Sequence, residues 1–206
     1  DENDPKSYDF TLTDKLIKEI YNSGTKVFYR LGQSIEHWPK KYGANPPANF
    51  KKWARICEHI IRHYNEGWAD GHHYNIEYWE IWNEPENRDD PKQNQMWTGT
   101  AEQYYALYDT TAKHLKKCFG DKIKVGGYAA CGFYGLFADP EKYGLSVPKR
   151  DEERYTGSKE QYRMNFFFGF LEYIKTHNSP IDFFSWHTYG LVDVVEIEAE
   201  FVYKSL

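Results

Sequence analysis

The stretch Asn75-Ile76-Glu77-Tyr78-Trp79-Glu80-Ile81-Trp82-Asn83-Glu84-Pro85 decides the fold. Aromatic and β-branched residues alternate with glutamates over 77–82, the pattern of a strand. Pro85 has no amide hydrogen to donate, so strand pairing stops there and the chain turns outward. Alternation puts Tyr78, Glu80, Trp82 and Glu84 on one face and Trp79, Ile81 and Asn83 on the other. The second face is apolar until Asn83, as expected of a surface that helices cover. A carboxylic acid and an amide therefore stand side by side where an apolar strand ends. Strict alternation turns Asn83 away from Glu84, so a kink or bulge is expected near the strand end.

Helical and strand patterns alternate on either side. Residues 13–21 read as a helix with Leu16, Ile17 and Ile20 on one face and Gly24 as its stop, and a strand follows at 26–31. After the Pro46-Pro47 break, Asn49 is the expected N-cap of a helix carrying Trp53, Ile56, Cys57, Ile60 and Ile61 at helical spacing. A helix over 101–119 buries Tyr104, Leu107, Tyr108, Thr111 and Leu115 and stops at Gly120. A strand at 123–128, a phenylalanine-rich helix at 161–176 and a strand at 181–186 complete the pattern. Strands separated by single helices imply right-handed βαβ units in a parallel sheet. No linker divides residues 1–206, which read as one domain. Four strands are half of the eight that close a barrel of about 250 residues. The expected architecture is an incomplete (β/α)8 TIM barrel, α/β with parallel strands.

In such barrels catalytic groups collect at the C-terminal strand ends. Glu84 lies there, with Asn83 to hold a sugar hydroxyl, which suits general acid catalysis of glycoside cleavage. The plainer alternative is a strand-to-loop turn with a surface acid. The coincidence of tryptophan, amide, acid and proline favours catalysis. A general acid needs its pKa raised, and burial beside Trp82 and other aromatics is the expected cause. Glu80, on the interior face, needs a partner, and Arg30 on the neighbouring strand is the natural one, as a structural ion pair. His187 and Tyr189 follow the last strand and can donate to a substrate hydroxyl or a carboxylate; a polar strand cap is the other option. His37 and Trp38 fall on a loop at the same edge and suit a sugar subsite or packing equally. The long loop at 129–158, with Phe133, Tyr134, Phe137, Tyr143 and Tyr155, is expected to wall the substrate.

Trp82-Asn83-Glu84-Pro85 resembles the acid/base motif of the clan A glycoside hydrolases. Three wider stretches narrow the resemblance to family 39, the β-xylosidase and α-L-iduronidase type: the amphipathic helix over 50–64, the helix and strand over 100–125, and residues 182–190 with Ser185-Trp186-His187-Thr188-Tyr189-Gly190. The resemblance implies that the chain runs from the second helix of a barrel through its sixth strand. It implies hydrolysis of O-glycosidic bonds with retention, with Glu84 as acid/base and Asn83 on the sugar 2-hydroxyl. His187 and Tyr189 would bond the sugar and the nucleophile, itself on a seventh strand outside this chain. No organic cofactor and no metal is implied. The partners are a carbohydrate substrate and, along the open sheet edges, the remaining barrel segments or a second copy. A secreted or periplasmic location is favoured.

Composition supplies exclusions. A net charge of -5 and a pI near 5.9 argue against nucleic-acid or anionic-membrane surfaces. Mean hydropathy is -0.83, and no apolar run reaches spanning length. Cys57, Cys118 and Cys131 show neither a disulfide framework nor zinc spacing. His59 and His63 lie one helical turn apart, but no carboxylate or cysteine completes a metal site, and both read as exposed. His72-His73 reads as a solvated loop. Two rival functions remain: a non-catalytic carbohydrate-binding barrel, separable by whether a seventh-strand glutamate exists, and a nucleotide-binding open sheet, disfavoured by the missing glycine-rich turn.

Overall fold

The computed structural model describes residues 1–32 and 42–206. His37 and Trp38 lie outside the described residues. The elements are α1 (Thr11–Asn22), β1 (Phe28–Leu31), α2 (Phe50–Glu66), β2 (Tyr78–Ile81), α3 (Ala101–Phe119), β3 (Lys124–Ala130), α4 (Glu153–Thr156), α5 (Ser158–His177), β4 (Phe183–Trp186) and α6 (Val192–Ser205). All neighbouring strands pair in parallel, in the order β1-β2-β3-β4. This is the βα progression that the alternation predicts.

Local chemistry sets the helix ends. Asn49 caps α2 by accepting from the Lys52 amide at 3.0 Å, as expected. Thr100 and Gln103 form a reciprocal capping box at the start of α3. Asn178 ends α5 in the left-handed conformation.

The helix-covered face of the sheet is fully packed. Trp79 and Ile81 of β2 and Val125 of β3 are inaccessible to solvent, against Tyr104, Leu107, Tyr108, Phe166 and Phe170. Aromatic edges meet aromatic faces throughout, as between Tyr108 and Phe170 at 4.9 Å and 84°. The Tyr104 hydroxyl donates to the Ile81 carbonyl at 2.9 Å and pins α3 to the last residue of β2. Within 129–158, Phe133, Phe137 and Tyr155 are buried core residues, because the short helical turns there fold back against α5 and α6.

The opposite face is sparsely covered. Register places Phe28 beside Tyr78 and Arg30 beside Glu80, with Gly126 between Glu80 and Phe183. A Cβ on Gly126 would lie 2.1 Å from the Phe183 carbonyl oxygen and 2.7 Å from its ring. Only a bare backbone lets that ring lie across β3, where it meets Tyr78 at 5.8 Å and Phe28 at 5.1 Å. Phe28 remains 51% exposed.

Candidate active site

β2 stops at Ile81, and the next residues reverse twice: Trp82 and Glu84 take positive φ values of 74° and 47°. Such conformations cost about 1–3 kcal/mol each in non-glycine residues, so neighbours must hold them. The Trp82 amide donates to the Leu31 carbonyl at 2.8 Å, and the Glu84 amide to the Tyr128 carbonyl at 3.1 Å. Both flanking strands therefore grip the turn, which is the kink expected from the alternation. It also corrects the expected place of Trp82. Its indole leaves the interior face and packs against Trp53 at 5.9 Å and Trp97 at 5.0 Å, donating to the Met96 carbonyl at 2.9 Å.

The Glu84 side chain, 18% exposed, is held at both oxygens. His187 Nδ1 lies 2.7 Å from Oε1, and Asn87 Nδ2 donates to Oε2 at 2.8 Å. His187 is fixed at the end of β4, where its amide donates to the Ala130 carbonyl at 2.7 Å. Its Nε2 lies 3.5 Å from Arg30 Nη2. A guanidinium only donates, so Nε2 carries the lone pair and Nδ1–H donates to Glu84. Arg30 in turn donates from Nε to Glu80 Oε2 at 2.5 Å, the pairing anticipated from the sequence. Glu80, Arg30, His187 and Glu84 thus form one chain of contacts across three strands.

These donors decide the acidity of Glu84. Burial pushes its carboxyl up, but the hydrogen bonds from His187 and Asn87 outweigh that and bring it below the ordinary 4.5. The expected rise does not occur, because Trp82 has turned away and two donors face the carboxylate instead. Asn83 is 2% exposed, and its Oδ1 has no hydrogen-bond partner among the described residues. A buried acceptor left unpaired costs about 1–3 kcal/mol.

Tyr189 sits apart from this cluster. It is 84% exposed, and its amide donates to the Tyr134 hydroxyl at 2.7 Å. Gly132, at φ +103°, lets the chain pass under His187; a Cβ there would lie 2.8 Å from the His187 carbonyl oxygen.

Several supporting groups escaped the sequence reading. Glu86 is 1% exposed, with Oε1 accepting from the Cys131 amide at 2.6 Å and Oε2 buried without a partner. Burial pushes its carboxyl up to about 7, against the pull of that amide and of the Arg163 charge, and Glu84 adds to the rise. Arg163 on α5 donates to the Asn87 carbonyl at 3.3 Å and to Glu160 at 2.9 Å, which steadies the loop carrying Asn87. Glu198 on α6, fully buried, accepts from the Phe133 amide at 2.9 Å and the Trp186 indole at 3.1 Å. The Glu84-Pro85-Glu86 spacing was a readable signal for a second acid. Arg163 and Glu198 reach the site only through the tertiary fold and left no local mark.

The family model of glycosyl hydrolases family 39 matches residues 1–199, and the chain belongs to that family. A β-xylosidase of Caldicellulosiruptor saccharolyticus is 27% identical over 135 residues, covering 60% of this chain and 25% of the relative. A glucosidase structure from Croceicoccus marinus superposes with a TM-score of 0.71 at 24% identity, over 100% of this chain and 37% of that one. A GH39 enzyme structure from Xanthomonas axonopodis pv. citri gives a TM-score of 0.51 at 21% identity, over 89% of this chain and 30% of that one. Both likenesses show the fold, which is part of a (β/α)8 barrel. The chain spans a quarter of the length of the β-xylosidase it matches and 37% of the glucosidase.

Proposed function

We propose that the protein containing this chain is a glycosidase that hydrolyses O-glycosidic bonds with retention, with Glu84 as general acid/base. One observation carries the reading: a partly exposed carboxylate at a C-terminal strand end, oriented at both oxygens, beside a buried amide oxygen that has no partner. Family membership and the match to a β-xylosidase support the substrate class, a carbohydrate. In the first step Glu84 protonates the leaving oxygen while a second carboxylate attacks the anomeric carbon. In the second step Glu84 takes a proton from water, which displaces the enzyme carboxylate and frees the sugar. Asn83 accepts from the sugar 2-hydroxyl.

The second carboxylate must stand about 5 Å from the first. Glu80, Glu86 and Glu198 are each at least nine-tenths buried and do not suit attack. In the family that the sequence resembles, the nucleophile stands on a seventh strand, and we place it there, outside residues 1–206. Its charge, facing Glu84 across the cleft, raises the acid from its resting low value toward the protonated form that step one needs.

The test is Glu84→Gln in the intact protein. Hydrolysis of substrates with poor leaving groups should fall by about 10²–10⁴, the usual share of general acid catalysis. Formation of the intermediate from activated aryl glycosides should fall far less, and azide should restore turnover by attacking without a general base. Equal loss on both substrate types with no azide effect would refute the role. Retained sugar binding without any turnover in the wild type would favour a carbohydrate-binding barrel instead.

A further inference from the structure

The fold corrects the reading of His63 and His72 as solvated and brings both to Asp14. His63, in the last turns of α2, is 1% exposed rather than solvated. Its Nδ1 lies 2.9 Å from the Trp68 carbonyl oxygen, which can only accept, so Nδ1 carries a hydrogen and Nε2 faces the other way. Nε2 lies 3.0 Å from Oδ1 of Asp14 in α1. His72 Nε2 approaches the same oxygen at 3.5 Å, and this atom is buried with no hydrogen-bond partner. All three ligand atoms lie within 4.8 Å of one another.

Ligands about 2.1 Å from a tetrahedral zinc ion stand about 3.4 Å apart. The separations of 3.0 Å and 3.5 Å straddle that edge length, whereas 3.5 Å is long for a charge-assisted hydrogen bond. We infer that Asp14, His63 and His72 form a binding site for a divalent cation of the zinc type. The Trp68 carbonyl on His63 Nδ1–H is the outer partner that commonly orients a metal-bound imidazole. The rings are also held in place. Phe10 stacks on His63 at 3.6 Å, and Tyr74 stacks on His72 at 4.5 Å. Tyr64 packs edge-on to His63 at 4.8 Å.

A second cluster, Glu58, His114 and Cys118, has comparable spacing. There Arg62 already pairs with Glu58 at 2.8 Å, and a fixed guanidinium opposes a dication. Among the described residues no lysine or arginine pairs with Asp14.

The ion has a structural task. α1 buries only Ile17 and leaves Leu12 79% and Leu16 61% exposed, so apolar packing holds it weakly. A shared ion ties α1 to α2 and to the loop entering β2. The site has no residue in common with the Glu84 cluster, and its fate is independent of the glycosidase reading.

The test uses the intact, tag-free protein, stripped with chelator and titrated calorimetrically with zinc chloride, with cobalt(II) as optical probe. One ion per chain should bind, cobalt should show the intense visible bands of four-coordinate geometry, and zinc should displace it. Asp14→Asn and His72→Ala should each weaken zinc binding at least about tenfold, within the range seen even for outer partners of metal ligands. Zinc should raise the thermal midpoint of the wild type but not of His72→Ala. His72 is only half-buried, which keeps this variant foldable where His63→Ala would remove a buried, stacked ring. His59→Ala should bind like wild type. No zinc binding at millimolar concentration, or binding unchanged in both Asp14→Asn and His72→Ala, would overturn the assignment.

Discussion

Replacing Glu86 with glutamine should change how stability depends on pH, and the structure sets the size of the effect. Burial moves this carboxyl from 4.5 to about 7 in the folded protein. Each pH unit across that window is worth about 1.4 kcal/mol, so ionising Glu86 in the folded chain costs about 3 kcal/mol more than in the unfolded chain. Between pH 4.5 and about 7 the folded protein holds a proton that the unfolded chain has released. Folding takes up that proton, and this group's contribution therefore declines as pH rises through the window. Above pH 7 the full cost applies; below 4.5 it vanishes.

Glutamine cannot ionise, and its carbonyl can still accept from the Cys131 amide as Oε1 does now at 2.6 Å. Its NH2 group replaces Oε2, which has no partner, and adds a cost that does not vary with pH. The measurement is the unfolding free energy of wild type and Glu86→Gln in the intact protein at pH 5 and pH 8, followed by tryptophan fluorescence. The difference between the two proteins should shift by about 3 kcal/mol in favour of glutamine from the lower to the higher pH. A carbonyl stretch of a protonated buried acid should be visible in the wild-type infrared spectrum at pH 5 and missing from the variant. Parallel stability profiles, or a Glu86 band that titrates near 4.5, would refute the reasoning.

Other consequences are equally open to measurement. His187→Ala removes the first donor to Glu84, so the limb of the pH–activity profile that reports Glu84 should move to higher pH; an unmoved limb would contradict the contact at 2.7 Å. Gly132→Ala puts a Cβ 2.8 Å from the His187 carbonyl at a positive φ, and should cost about 1–3 kcal/mol of stability along with activity; a neutral outcome in both assays would argue against the close approach. Residues 1–206 expressed alone present Phe28, Tyr78 and Phe183 on an uncovered sheet face with β1 and β4 at its edges. They should self-associate in sedimentation and leave aryl glycosides intact, and a monomer with full activity would disprove the partial-site reading.

What the sequence revealed depended on how local the determining physics was. The strands and helices were legible because period and capping are written within a few residues, as at Asn49 and over 101–119. The Arg30–Glu80 pair was legible because adjacent parallel strands leave an interior acid few partners. Trp82 was misplaced because a positive φ is imposed by carbonyls of two other strands, which no alternation rule registers. Burial of His63 was missed for a similar reason: helix α1 and the loop at His72 enclose it, and neither adjoins it in sequence.

The acidity of Glu84 shows the same division and carries it into mechanism. Two carboxyls separated by one proline are driven in opposite directions, Glu84 down by its donors and Glu86 up by burial. Had exposure alone governed, both would rise, since both are substantially buried. The donors His187 and Asn87 make the difference, and they arrive from β4 and from the loop that Arg163 supports. At rest Glu84 is therefore ionised, the form that serves as a base. In the mechanism proposed here, a further carboxylate supplies the repulsion that lifts it for its role as an acid. That dependence ties the chemistry proposed for Glu84 to the half of the cleft facing it. Neutralising that facing carboxylate in the intact protein should lower the Glu84 limb of the pH profile, as well as abolishing formation of the glycosyl-enzyme. An unchanged limb would mean that the charge lifting Glu84 lies elsewhere.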